Sequence, residues 1–155
     1  MPAIHAYNAM TGDVIWTCEG LLPGAIPTPI IGDGIVYCMT GYQRYSLLAI
    51  ELGHEGDLTD SDAILWRPDK GTPYVSSPLL YNDKLYFVEG MSSRVSCYKA
   101  KSGEPVFERE RLKDLKQMYS SPTGAAGRGY IADREGVTVV LDAGDEFKIL
   151  ATSTL

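Results

Sequence analysis

The most polar stretch of this 155-residue chain is Gly53-His54-Glu55-Gly56-Asp57-Leu58-Thr59-Asp60-Ser61-Asp62. Its carboxylates and imidazole are oxygen and nitrogen donors of the kind that gather around a hard cation such as calcium. Asp60-Ser61-Asp62 lacks the glycine and the closing glutamate of an EF-hand loop, so a solvated acidic loop is expected and no metal ligand is assigned. The two histidines, His5 and His54, have no serine or cysteine at the spacing of a nucleophile–base pair and read as surface or structural residues. Cys18, Cys38 and Cys97 are an odd number at wide spacing with no C-x-x-C pair, which predicts buried free thiols rather than a disulfide framework or a zinc site. Gly32-Asp33-Gly34 and Gly124-Ala125-Ala126-Gly127 lack the Lys-Ser/Thr and the following helix of a phosphate loop and fit strand-to-strand turns. Tyr42, Tyr45 and Tyr74 are candidates for stacking on a carbohydrate or a peptide. No catalytic residue is assigned, and cofactor-binding residues stay unknown.

The composition narrows the partner classes. A formal net charge of −6 argues against nucleic acid, which is bound through clustered Lys and Arg. No apolar run is long enough to cross a bilayer. Met1-Pro2-Ala3-Ile4-His5-Ala6-Tyr7 has neither the basic nor the apolar region of a signal peptide, so the chain is expected to be cytoplasmic or a piece of a longer precursor. Sixteen glycines, nine prolines and ten tyrosines beside three phenylalanines favour β-structure with many turns.

The elements that would carry any of these residues repeat. Thr28-Pro29-Ile30-Ile31, Ser77-Pro78-Leu79-Leu80 and Ser121-Pro122-Thr123 form one column. Ile35-Val36-Tyr37, Lys84-Leu85-Tyr86 and Arg128-Gly129-Tyr130 form a second. Both columns have offsets of 49 and then 44 residues. A third column aligns Tyr7 to Trp16 with Tyr98 to Phe107, and places Leu141-Asp142-Ala143-Gly144-Asp145 ahead of Phe147 to Leu150. Trp16, Trp66 and Phe107, with Leu150 as an aliphatic substitute, are expected to fill the wedge between neighbouring units. Asp13, Glu104 and Asp145 recur by unit and read as turn residues. The best-preserved unit predicts strands over 76–81, 84–89, 94–99 and 105–110, with Asn82-Asp83 and Lys101-Ser102-Gly103 as turns. The mixed-charge run 108–117 reads as a solvated connection with room for a short helical turn carrying Leu112 and Leu115. Four short strands in about 45 residues is the period of a propeller blade. The expected fold is therefore all-β, a partial β-propeller of about three and a half four-stranded antiparallel blades: a half blade at 4–19 and blades at 27–67, 75–110 and 119–152. Closed propellers have about 4 to 8 blades, so the chain is expected to be part of a longer propeller or to self-associate through open blade edges.

Ala6-Tyr7-Asn8-Ala9-Met10-Thr11-Gly12-Asp13-Val14-Ile15-Trp16 resembles the A-x-D-x-x-T-G-x-x-x-W repeat of quinoproteins. The runs from Gly56 to Leu79 and from Glu135 to Thr152 resemble the non-catalytic secreted bacterial branch of that PQQ-like family, related to the outer-membrane β-barrel assembly lipoprotein. Asn8, Glu51 and Lys99 stand where the repeat has Asp, which only Asp142 keeps. The family's dehydrogenases hold PQQ beside a disulfide of adjacent cysteines, above a Trp and next to calcium, and no two cysteines are adjacent here. The resemblance implies a non-enzymatic scaffold or interaction module without a cofactor, in the periplasm or outside the cell, with a protein or glycan ligand. The alternative it leaves is a fragment of a PQQ-dependent dehydrogenase, an oxidoreductase.

Overall fold

The structure, a computed structural model, describes residues 3–41, 44–68, 70–89 and 92–155. Its strands are β1 (Ala3–Tyr7), β2 (Val14–Glu19), β3 (Ile30–Gly32), β4 (Ile35–Thr40), β5 (Ser46–Glu51), β6 (Gly56–Asp57), β7 (Ile64–Trp66), β8 (Leu79–Tyr81), β9 (Lys84–Glu89), β10 (Arg94–Lys99), β11 (Pro105–Arg111), β12 (Thr123–Ala125), β13 (Arg128–Ala132), β14 (Val137–Asp142) and β15 (Ile149–Thr154). Three four-stranded antiparallel sheets follow chain order: β3-β4-β5-β7, β8-β9-β10-β11 and β12-β13-β14-β15. A three-stranded sheet, β1-β2-β6, precedes them.

Local chemistry sets the strand limits. Pro29, Pro78 and Pro122 each sit just before or one residue before the paired segment, because a residue without an N–H cannot enter a central ladder. The first hairpin of every complete sheet turns on two residues with positive φ: Asp33-Gly34 (49° and 76°), Asn82-Asp83 (50° and 57°) and Ala126-Gly127 (49° and 72°). That is the type I′ geometry, whose twist matches the flanking strands. The segment after β11 contains no helical turn. It is irregular, and Leu112, Leu115 and Met118 plug into the core between the last two sheets. The spacing of the two leucines reflects this burial rather than a helix face.

The sheets stack face to face as blades. The strands β4 and β9 are buried at nearly every residue, on both faces. Such strands read as continuous apolar runs, because neither face meets water. The strand β13, in the last sheet, alternates instead. Three apolar seams result. Trp16 and Cys18 meet Val36, Cys38, Leu48 and Ile50 in the first. Tyr37, Met39 and Leu47 meet Leu85, Phe87 and Tyr98 in the second. Tyr86, Val88 and Phe107 meet Ile131, Val139 and Leu141 in the third. Full burial of one such large side chain stabilises the fold by roughly 1.5–3 kcal/mol.

The middle seam also carries directional contacts. The Tyr37 hydroxyl (3.1 Å) and the Trp66 indole N–H (2.8 Å) both donate to the carbonyl of Ala100 on the next blade. Trp66 stacks on Tyr98 at 5.9 Å, and Tyr98 stacks on Phe87 at 5.5 Å. Gly103 faces the indole so closely that a Cβ there would lie 2.4 Å from it. The wedge role expected for Trp16, Trp66 and Phe107 holds, but the fourth member of the column is Ala151. A bulge in each outer strand puts Trp16 opposite Ala6, Trp66 opposite Ala49, Phe107 opposite Cys97 and Ala151 opposite Val140. Leu150 is the bulged residue, in the place of Ile15, Leu65 and Val106.

Near the inner strands a second repeated contact links the blades. The backbone N–H of Thr28 donates to the Ser77 hydroxyl (3.0 Å), and the N–H of Ser77 donates to the Ser121 hydroxyl (2.9 Å). Each of these residues precedes a column proline, so the same Ser/Thr-Pro dipeptide starts each blade and ties it to the next.

The shared acceptor in the middle seam yields a coupling prediction. Tyr37→Phe or Trp66→Phe alone leaves Ala100 one donor and costs about 1 kcal/mol for the lost hydrogen bond. The double variant strips both donors from the carbonyl, so its loss is expected to exceed the sum of the single losses by about 1 kcal/mol. Urea denaturation of the four proteins measures this, and strict additivity would contradict the shared-acceptor picture.

Candidate functional site

Two features on this scaffold differ from the repeated packing. The first is a buried acid. Glu89 ends β9 with its side chain 5% exposed, and the β11 bulge aims Arg109 at it. Arg109 is held at φ 53° by a hydrogen bond from its N–H to the Ser96 hydroxyl (2.9 Å). Its guanidinium reaches both carboxylate oxygens, Nε to Oε2 at 3.2 Å and Nη2 to Oε1 at 3.1 Å. The Ser92 hydroxyl adds a bond at 2.9 Å, and the Tyr45 hydroxyl of the preceding blade donates across the seam. Burial alone pushes the Glu89 carboxyl up. The hydrogen bonds from Ser92, Tyr45 and Arg109, with the Arg109 charge, outweigh it and hold the group below its ordinary range. A carboxylate so held stays ionised and anchors neighbouring blades. Sequence reasoning missed it. The available signal was a lone carboxylate closing the apolar run Leu85-Tyr86-Phe87-Val88.

The second feature is an open cavity of about 470 Å³ between the first, three-stranded sheet and the next blade. Ile4, Ala6 and Trp16 form one side, Pro29, Ile31, Val36 and Cys38 the other, with Leu52 to Glu55 at the rim. In the three complete blades two inner strands stand inside the third strand. Among the described residues β1 pairs only with β2. Ile31, in the wall, is 63% exposed, while Leu80, its counterpart one blade on, packs in a seam.

The residues that drew attention in the sequence fall around these features. The acidic insertion is a structural strap: Gly56-Asp57 adds β6 parallel to β2, opposite Trp16 and Thr17, and Leu58 is buried. Asp57 accepts from the Thr59 N–H (2.9 Å), and Asp60 lies 3.4 Å from Arg67. Among the described residues no three His, Cys, Asp or Glu side chains converge as metal ligands would. His5 stacks on Tyr7, His54 lies 3.2 Å from the Glu51 carboxylate, and both border the cavity. The three cysteines are buried free thiols. Burial raises Cys38 to about 11 and Cys97 to about 12, so neither is a nucleophile at neutral pH. Of the three tyrosines, Tyr42 lies outside the described residues, Tyr45 is tied to Glu89, and Tyr74 is half-buried. In a second, basic cavity Lys84 bonds Asp145 (3.1 Å) and Lys99 bonds Glu104 (2.8 Å), so these cations are matched within the chain.

Because the Glu89 carboxyl is lowered in the folded state, its contribution is present above the ordinary carboxylate range and is lost as pH falls through the lowered value. Glu89→Gln is expected to reduce stability at pH 7 by about 1–3 kcal/mol. The gap to the parent should close on acidification. Denaturant titrations at pH 7, 5 and 3.5 measure it, and a constant gap would contradict this assignment.

No protein-family model and no curated protein matches the chain. Solved structures do. BamB from Moraxella catarrhalis superposes with a TM-score of 0.68 at 18% identity over 99% of this chain and 47% of its own. A europium-containing methanol dehydrogenase gives 0.62 at 14%, over 97% of this chain and 27% of its own. The computationally designed Ika8 protein gives 0.70 at 13%, over 96% and 42%. The chain thus spans just under half the length of BamB. From the stacked sheets and these likenesses, the chain has the fold of the PQQ-like β-propellers, as a sector of about three and a half blades.

Proposed function

We propose that this chain is a non-enzymatic β-propeller module, a rigid interaction scaffold that binds polypeptide in the periplasm or outside the cell. The observation that carries it is the cavity between the first sheet and the next blade, whose wall of Ile4, Pro29, Ile31 and Val36 is mostly apolar. Apolar side chains of a polypeptide would fill such a wall. A carbohydrate ligand fits less well, since it would use exposed aromatic platforms with free polar groups, and Tyr45 has its hydroxyl committed to Glu89. The polar groups around Glu89 are also consumed by one another, which suits a tie between blades better than a reaction centre. The sequence resemblance to the non-catalytic branch and the likeness to BamB support the same reading. Among the described residues no helix is long and apolar enough to cross a membrane.

The likeness to the europium-containing methanol dehydrogenase favours a second reading, a section of a quinone-dependent oxidoreductase. Titration with PQQ, in calcium and separately in a lanthanide, distinguishes the two. The scaffold reading expects unchanged quinone absorbance and no reduction of a dye acceptor by added alcohols. Stoichiometric quinone binding with alcohol-dependent dye reduction would replace it with the enzyme.

A further inference from the structure

The basic cavity, at the junction of the last two blades, carries a charge pattern that the other blades lack. Ile35, Lys84 and Arg128 open β4, β9 and β13, at the offsets of 49 and 44 residues that relate the blades. Their partners across the ladder are Glu51, Lys99 and Asp142. Two blades thus set an apolar residue or a cation against a carboxylate. The blade of β8 to β11 sets two ammonium groups against each other. Like charges directly opposite destabilise a sheet, so strand pairing gives no reason for this arrangement. Burial gives none either: Ile35 is buried at this position, and Lys84 in its place is only 13% exposed.

The two lysines line an open cavity of about 410 Å³ together with Lys101, Asn82, Ser102, Asp83 and Asp145. A space of that size suits a small organic ligand. Lys84 is held across the seam by the Ala143 carbonyl (3.3 Å) and the Asp145 carboxylate (3.1 Å), and Lys99 by Glu104 (2.8 Å). Both carboxylates stand on exposed turns, Asp145 at 88% exposure. Ion pairs with such exposed partners contribute little and are readily exchanged for a ligand oxygen. Among the described residues nothing engages the Lys101 ammonium, the Asn82 amide or the Asp83 carboxylate. The Ser102 hydroxyl accepts the Glu104 N–H (3.3 Å) and keeps its own hydrogen to donate. On a chain of net charge −6, three ammonium groups and two neutral donors meet at this one cavity.

We infer that this cavity binds the phosphate group of a small phosphorylated polyol, with Lys84, Lys99 and Lys101 around its oxygens and Asn82 and Ser102 as neutral donors. A multivalent anion meets the opposed ammonium groups at once, where each carboxylate meets one, and lysine heads serve such a group as point charges. The phosphate takes the place of Asp145 on Lys84, while the Ala143 carbonyl keeps the ammonium in position. Asp83, on the wall, is left to accept from a ligand hydroxyl, which favours a polyol ester over the inorganic ion. The junction lies between two four-stranded blades and is separate from the polypeptide surface beside β1.

The test titrates the chain with glycerol 2-phosphate and with inorganic phosphate at fixed ionic strength, which holds general screening constant. Backbone amide NMR reads the binding. The expected result is saturable shifts confined to residues 82–84, 99–104 and 143–146, at lower concentration for the ester. Lys101→Gln should weaken binding about fivefold, and Lys113→Gln, an exposed lysine elsewhere, should leave it unchanged. Asp145→Asn should tighten binding about threefold, because the competing carboxylate is gone. Lys101 and Asp145 lie on exposed turns, so both variants keep the fold. Shifts that do not saturate, or that Lys101→Gln and Lys113→Gln reduce equally, overturn the site. An Asp145→Asn variant with unchanged or lower affinity also overturns it, since the lysines are then partners of that turn alone. Inorganic phosphate that binds as well as the ester supports the phosphate site and overturns the polyol assignment.

Discussion

The two middle sheets of this protein have two apolar faces each, and each can bury only what a neighbour covers. That constraint explains why β4 and β9 lack the alternation of ordinary antiparallel strands. The last sheet of the described chain differs from the middle two. A blade inside the stack has Phe87 and Val88, adjacent residues on opposite faces, both fully buried. The last blade buries Ile131 and Val139 on one face only, and its other face carries Tyr130, Thr138 and Val140 half-exposed.

Apolar contact supplies the drive for stacking, and directional bonds fix how the blades sit. The Ala100 carbonyl receives Tyr37 and Trp66 from the preceding blade, and Gly103 leaves room for the indole. The third seam handles the same position differently. Phe107 has no N–H to offer, and the carbonyl of Ala143 takes the ammonium of Lys84 at 3.3 Å. The buried Tyr86 hydroxyl has no such carbonyl to bond and lies against the Cys97 thiol instead. Equivalent positions thus keep a common shape while their polar chemistry varies, as expected where burial dominates and hydrogen bonds add specificity.

The proposed binding surface follows from the same constraint. The cavity beside β1 is walled by Ile31, Val36 and Cys38, residues of the apolar kind that line the seams. An apolar wall that meets water is the kind of surface that proteins use for binding. In the basic cavity, by contrast, Lys84 and Lys99 are paired with Asp145 and Glu104.

Much of the fold was legible because every blade solves one packing problem, so proline, tyrosine and turn residues recur at fixed offsets. The spans of β9 and β10 and the type I′ turns rest on neighbouring residues and could be read locally. Other features depend on contacts that local sequence does not encode. A bulge consumes one residue without a composition signal, which is why Ala151 and not Leu150 completes the wedge column. Glu89 meets Arg109 and Tyr45 only because strands and blades are folded side by side, and nothing in their spacing foretells it. The strap 53–62 reads as a loop until β2 offers an edge for Gly56-Asp57. The sequence by itself determined the repeat, the strand type and the turn chemistry, since each depends on near neighbours along the chain. The tertiary structure alone decided which acid is buried and where the cavity lies, since those depend on which distant faces meet.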